Sequence, residues 1–445
     1  MNKVLLIGSG GREHAIAHAL KRGGAKIYAV MPHKNPGIAK LSQDYAVGPL
    51  SIGFVKDLEW VKFREVDFAV IGPEAPLIEG MADMLEEKGI PVVGPRKNAA
   101  IIEGSKEFMR ELMKRHGIGG FVDYYVFNSA KKVEEFLREY DKPFVIKPVG
   151  VTGGKGVRVM GDHFQSKEEG IKYAKEVMEK KIGGTGRVII EEKMVGEEYT
   201  LQVFTDGNDL KGMPLVQDFK RAYEGDKGPN TGGMGSYSLE NHLLPFLTGE
   251  DYARSMKILE DVIAAMRREE RTYKGIMYGQ FMLTADGPKI IEINCRFGDP
   301  EAMNVLPIIK TNFVDVAWSI IENKLKDIKI EFENKATVVK YVVPEGYGTP
   351  NPAKNEVIKV NEERIKKEGA LLYYASVDER GGEIYTTTSR SLAVVGIGNN
   401  LEEAEKTAER ALRHISGKIY MRHDIAKREM IEAKIKRMEN LRKGS

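Results

Sequence analysis

The stretch IEINCRF, residues 291–297, carries a carboxylate, an amide and a guanidinium at alternate positions: Glu292, Asn294 and Arg296. Side chains alternate across a β-strand, so these three share one face while Ile291, Ile293 and Cys295 share the other. Just upstream, YGQFMLTADGPKIIEIN reads as two strands turning at Asp286 and Gly287, which sets Gln280 opposite or nearly opposite Glu292. Oxygen donors gathered this way suit magnesium, which is commonly held by one or two carboxylates together with phosphates. Glu292 can bridge two ions, Asn294 and Gln280 can complete their coordination, and Arg296 supplies positive charge where phosphate charge moves. A solvated strand face with a surface ion pair would produce the same pattern.

Three further stretches point to phosphate and nucleotide. VIKPVGVTGGKGV, residues 145–157, ends a strand at Lys147 and continues into Gly153, Gly154 and Lys155. Glycines let backbone amides approach phosphate oxygens, and the lysines neutralise charge. It is not a P-loop, because Gly156 stands where Ser or Thr would be needed; a hairpin turn with a surface lysine is the plainer reading. IIEEKMVGEEY, residues 189–199, can offer backbone to an adenine ring while Glu198 accepts from ribose hydroxyls. LLIGSGGREHA, residues 5–15, is a strand, a glycine turn and a helix start, a phosphate-holding arrangement. As a dinucleotide fingerprint it fails, since Glu13 occupies the third glycine position and the next strand ends in AVMPH without an acid. His14 there reads as a helix-start residue satisfied by backbone rather than as a ligand contact. VIGPEAPL, residues 70–77, brings Glu74 toward the same crevice.

The elements that must position these groups fall into three regions. Residues 1–100 alternate short apolar runs with helical stretches, the rhythm of a parallel sheet covered by helices, and form an N-terminal α/β domain. Residues 101–326 hold the phosphate loop and the hairpin, with helices expected at residues 106–115, 167–180 and 251–268 and a small α+β unit at about 124–193. The segment RAYEGDKGPNTGGMGSYS, residues 221–238, is so rich in turn formers that it reads as an irregular loop. Residues 327–445 form a C-terminal α+β domain ending in a long basic helix, whose Ile425, Ile431, Ile435, Met438 and Leu441 lie near one face and suggest packing on the body or a subunit.

The chain's 445 residues allow two to four domains with real cores. A net charge of +3 is too near balance to indicate a nucleic-acid partner, while leaving room for small anionic substrates. The single cysteine, Cys295, excludes an intramolecular disulfide and fits a reducing, cytoplasmic setting. The first apolar run, residues 4–7, is too short for a signal-peptide core or a membrane span.

GSGGREHA, GPEAPL, GSKEF, GPNTGGMG and NCRFGDPE occur in that order along the chain. Together they resemble the ATP-grasp superfamily and, within it, the glycinamide ribonucleotide synthetase family, also called phosphoribosylamine-glycine ligases. That resemblance implies an N-terminal α/β domain, an ATP-grasp core with a mobile small lid and a C-terminal domain. It implies an ATP-dependent ligase that joins glycine to 5-phosphoribosylamine through a glycyl phosphate in purine biosynthesis. Lys106 and Lys147 would contact ATP phosphates beneath the loop Gly153, Gly154 and Lys155; Glu191, Lys193 and Val195 would line the adenine pocket, and Glu198 the ribose. Glu292 and Asn294, with Gln280, match the metal ligands for Mg2+ or Mn2+. Asp218, Lys220, Arg221, Asn230, Thr231, Gly232 and Gly233 are candidates for holding glycine and the acyl phosphate; Gly10, Gly11, Glu74 and Arg296 would face phosphoribosylamine. Lys147 and Arg296 would be catalytic, and a monomer or weak homo-oligomer is expected. The lid reads KPVGVTGGKGV where many relatives have KADGLAAGKGV, Phe219 stands where a histidine is expected, and the basic tail is longer than in common relatives. A carboxylating or formylating purine ligase is the nearest alternative; a nicotinamide-dependent dehydrogenase rests only on the first glycine loop.

Overall fold

The computed structural model describes residues 1–152 and 156–444. The N-terminal sheet runs in the order Asp44–Val47, Lys26–Met31, Lys3–Ile7, Phe68–Ile71 and Val92–Val93, with every neighbouring pair parallel. The apolar runs account for it: residues 4–7 and 68–71 are buried along their whole length, as strands covered on both faces must be. Two helices, Gly11–Arg22 and Glu74–Glu79, start just beyond the ends of neighbouring strands and bring Arg12 and Glu74 to one edge of the sheet.

A second sheet is antiparallel where its three longer strands pair: Tyr124–Phe127, Val188–Glu192 and Phe144–Pro148, with Arg158–Val159 at the edge. The helices Ala130–Glu139 and Lys167–Glu179 pack with it around Val133, Leu137, Phe144, Ile171 and Ile190. This cluster is separate from the large core that runs through the rest of the chain. A third sheet, ordered Leu210–Gly212, Glu197–Thr205, Gly275–Thr284, Gly287–Asn294, carries the metal-candidate hairpin and is backed by the helix Gly249–Arg268.

The segment 221–238 departs from its expectation as an irregular loop. It forms a small hairpin, Arg221–Tyr223 with Lys227–Asn230, and then a buried strand, Gly235–Ser238. That strand pairs with Ala336–Pro344 of the C-terminal sheet, so long-range pairing overrides the local turn preference of its glycine and two serines. The tail forms the helix Arg428–Lys443 and lies against the chain itself, with Ile431 and Met438 buried. Among the described residues, no helix is long and apolar enough to cross a membrane.

Candidate active site

The hairpin brings Gln280 directly across from Glu292, but one step further the register shifts, Phe281 facing Ile290. Ile291 is therefore the extra residue of a β-bulge, which bends the strand and re-aims its side chains. In place of the expected packing with Ile293 and Cys295, Ile291 is only partly buried and lines a cavity. Its neighbour Glu292 lines an adjoining one, so consecutive residues serve both spaces.

The first cavity, of about 350 Å3, is walled by charge: Glu292 and Asn294 from the hairpin, Lys106 from the helix Lys106–Arg115, and Asp218 and Lys220 from the segment after Gln217. Asn294 Nδ2 donates to Glu292 Oε1 at 3.1 Å. Burial would raise the Glu292 carboxyl, yet Lys106, this hydrogen bond and Lys220 outweigh it and hold the group below its ordinary range. Lys106 donates to Gly150 O at 2.9 Å, and burial lowers its ammonium. Gln280 is buried in the same wall; its oxygen is held by the hydroxyls of Tyr278 and Thr200 (3.4 Å), and its amide donates to Glu198 Oε2 at 3.1 Å.

Arg296 turns toward the N-terminal domain, pairing with Glu103 at 3.2 Å and Glu74 at 3.4 Å while lining the same cavity. Burial pushes Glu74 up, but Arg296 and Arg12 bring it down to about 2, so it is ionised. Deeper still, Glu301 accepts from Tyr278 at 2.9 Å; burial and Asp218 push its carboxyl up to about 7. Asp218 Oδ1 is buried without a hydrogen-bond partner among the described residues, with Lys220 Nζ 3.7 Å away. Such an acceptor suits a cationic nitrogen.

The second cavity, of about 390 Å3, shares Asp218, Lys220 and Asn230 with the first. Val145 and Val159 from the second sheet and Met282 and Ile291 from the third give it facing apolar walls. Lys147, buried, pairs with Glu191 at 2.6 Å, and Arg110 takes the other carboxylate oxygen at 2.7 Å. Burial would raise Glu191, but Arg110 and Lys147 hold it at about 2. Lys193 donates to Met160 O at 2.8 Å and lines the cavity, as do Glu198 and Arg221, the latter donating to Gly228 O at 2.9 Å. Lys220 pairs closely with Glu198. Val195 is half exposed; Met194 and Gly196 on either side line the cavity instead. Gly153, Gly154 and Lys155 lie outside the described residues.

Glycines near the site act mainly by allowing close approach. Thr231 Oγ1 donates to Lys220 O at 2.8 Å and accepts from Gly233 N at 3.1 Å, where Gly233 has φ +107°. Gly232 lines the first cavity. Gly10 and Gly11 are placed differently from the expectation: Gly10 N donates to Glu13 Oε2 at 2.6 Å, and a Cβ on Gly11 would lie 2.6 Å from the Tyr341 hydroxyl. The wall beside them is made by Arg12. Glu13 thus caps its own helix where a dinucleotide's phosphate would sit, which explains in atoms why the fingerprint fails. His14 is structural: its Nδ1 accepts from Tyr374 N at 2.9 Å, and burial lowers its imidazole to about 3.

Sequence reasoning missed Arg12, Tyr278, Glu301 and Arg390 in the first cavity and Met282, Lys434 and Arg437 in the second. Arg390 donates to the carbonyls of Gly232 (2.6 Å) and Gly233 (3.1 Å) and pairs with Asp299 at 3.2 Å. A signal existed for Arg12 and Glu301, which sit inside GSGGREHA and NCRFGDPE, and for Tyr278 and Met282, which flank Gln280 at alternate positions of its own strand; none marked Arg390, Lys434 or Arg437, which arrive from distant segments.

No group of three or more His, Cys, Asp or Glu side chains among the described residues is arranged to hold a metal by itself. Glu292, ionised and hydrogen-bonded through one oxygen to Asn294, nevertheless fits an ion that takes its remaining ligands from phosphates.

Three consecutive segments match the phosphoribosylglycinamide synthetase family: its N domain at residues 2–103, its ATP-grasp (A) domain at 104–302 and its C domain at 337–428. A phosphoribosylamine–glycine ligase of Methanocaldococcus jannaschii is 53% identical, over 99% of this chain and 100% of its own length. That of Pyrococcus furiosus is 51% identical over 99% of this chain and 98% of its own. The crystal structure of the Thermotoga maritima phosphoribosylamine–glycine ligase superposes with a TM-score of 0.80 at 28% identity, covering 95% of this chain and all of that one.

Proposed function

The chain belongs to the phosphoribosylglycinamide synthetase family, and from that premise we propose that it joins glycine to 5-phosphoribosylamine at the expense of ATP. The observation that carries this reading is the pair of adjoining cavities that meet at Asp218 and Lys220, one with apolar facing walls and one lined by charge.

Adenine lies between Val145 and Val159 on one side and Met282 and Ile291 on the other, with Lys193 at its edge and Glu198 accepting from the ribose. Lys147 and Lys106 face the phosphates, and Glu191 fixes Lys147 by its ion pair. Mg2+ or Mn2+, held at Glu292 and Asn294 with Gln280 beside them, would offset the charge on the phosphates. Glycine binds with its ammonium at Asp218 and its carboxylate toward Lys220, Arg221 and the loop of Asn230, Thr231, Gly232 and Gly233. Phosphoribosylamine lies by Arg12, Glu74 and Arg296, beyond the turn of Gly10 and Gly11.

A glycine carboxylate oxygen attacks the γ-phosphorus, the bond from that phosphorus to the β–γ bridging oxygen breaks, and ADP leaves. The amine of phosphoribosylamine then attacks the acyl carbon; the carbon–oxygen bond to phosphate breaks, and the nitrogen loses a proton as the amide forms. Lys147 and Arg296 provide positive charge at these two steps, and no covalent protein nucleophile is needed. Residues 124–193 close over the phosphates as a lid, keeping water from the acyl phosphate. Their separate apolar cluster supports such a movement.

The test is ADP release by the purified protein with glycine and phosphoribosylamine omitted in turn, the labile amine being generated in situ. Release that requires both is the expected result. Release supported by bicarbonate or formate in place of glycine would assign the chain to a different ligase.

A further inference from the structure

The tail helix Arg428–Lys443 reaches the second cavity, where Lys434 and Arg437 form part of the wall. Both reach Glu197, and Lys434 also stands 3.9 Å from Asp226. Lys434 Nζ stands 3.3 Å from Glu197 Oε2, and Arg437 Nη1 3.2 Å from Glu197 Oε1. Glu197 opens the strand Glu197–Thr205 and directly precedes Glu198; its side chain is 5% exposed. Its other hydrogen-bond partner among the described residues is the neutral amide of Gln217, at 3.4 Å.

Without the tail, the Glu197 carboxylate would be buried with no cation paired to it among the described residues, beside Glu198 and Asp218 in the wall that must receive a polyanion. A buried charge that loses its partner repels like charge through a low dielectric and draws neighbouring cations to itself. Lys220, paired with Glu198, is the cation within that cluster. The helix is also fixed at its far end, Arg442 pairing with Asp251 at 2.7 Å, so its cations are held rather than trailing in solvent.

We infer that the tail helix is a working part of the nucleotide site: Lys434 and Arg437 are positioning residues that cancel Glu197 and leave the pair of Glu198 and Lys220 undisturbed, with Glu198 in place for the ribose of ATP. The inference rests on the ligase reading for the identity of the nucleotide.

The experiment compares the full-length wild type with a Lys434→Gln, Arg437→Gln double variant, which retains Ile431 and Met438 as anchors. ATP affinity is measured by calorimetry and KM and kcat by ADP release. The variant should bind ATP about tenfold more weakly, the order expected for loss of charge-assisted contacts, with KM for ATP rising in step. Adding Glu197→Gln to the double variant should restore ATP affinity to within about twofold of wild type, because the charge needing cancellation is then gone. Unchanged affinity in the double variant overturns the inference, as does failure of Glu197→Gln to restore it. Should the double variant lose its thermal transition, the single Arg437→Gln variant, at a more exposed site, carries the same comparison with a smaller shift. ATP binding by wild type without glycine-dependent ADP release would overturn the ligase reading and leave the tail's role measurable in the calorimeter.

Discussion

Two lysines are buried among the described residues, and their surroundings separate a charge that builds from a charge proposed to work. Lys340, with a fully buried side chain in the C-terminal sheet, donates to Glu405 at 2.7 Å, Glu409 at 2.8 Å and His423 O at 3.0 Å. Its three N–H groups have three acceptors, and nothing remains for a ligand. Lys147, nearly as deep, has one acceptor among the described residues, Glu191 at 2.6 Å, and it lines a cavity. Burial alone therefore says little about function; the unspent donor capacity does.

The contrast predicts different failures. Lys340→Met takes the shared cation from the buried Glu405, which keeps Lys427 at 2.9 Å, and from the half-buried Glu409, and should cost about 3 kcal/mol of folding stability, the low end for a broken buried pair. ATP kinetics of the remaining folded protein should change less than twofold; denaturant unfolding and initial rates check both. A variant as stable as wild type would break the comparison.

Glu191 comes next. Its carboxyl sits at about 2 when folded against an ordinary value of 4.5, so the ionised form is favoured by the fold. The stability it contributes, about 3 kcal/mol, is present above pH 4.5 and is lost as pH falls from there toward 2. Glu191→Gln should be less stable at neutral pH, and the gap should narrow across that window, as chemical denaturation at stepped pH would show. A gap independent of pH would mean the pair with Lys147 and Arg110 is not what depresses the group.

Lys147→Met should lower kcat/KM for ATP on the order of a hundredfold, equivalent to about 2.7 kcal/mol, by removing a donor aimed at developing charge. Its effect on unfolding should be smaller than that of Lys340→Met, since Arg110 still holds Glu191. The reverse ranking would place Lys147 with the structural lysine.

Local patterns carried much of the fold into the sequence. The helix at Lys106–Arg115 and the hairpin pairing Gln280 with Glu292 follow from apolar periodicity and a two-residue turn. The strand Gly235–Ser238 was hidden because its partner lies a hundred residues on, and pairing there outweighs a sequence full of turn formers. The bulge at Ile291 was hidden too, because one extra residue leaves no mark in a run of isoleucines. Of the cavity walls, motifs disclosed Glu292, Glu191, Glu198, Asp218, Lys106, Lys147 and Lys220. They could not disclose Arg390, Lys434 or Arg437, whose places depend on how the C-terminal region folds back.

That folding back bears on how the protein is made. The walls of the two cavities draw on Arg12 near the beginning of the chain, on Glu292 and Arg390 later, and on Arg437 close to its end. On a translating ribosome the parallel sheet can form early, since domains fold as units from the N-terminus. Its first residues then wait for nearly all the others to emerge, and a chain released before Lys434 would leave with its sheets intact and with neither Lys434 nor Arg437 in the wall of the second cavity.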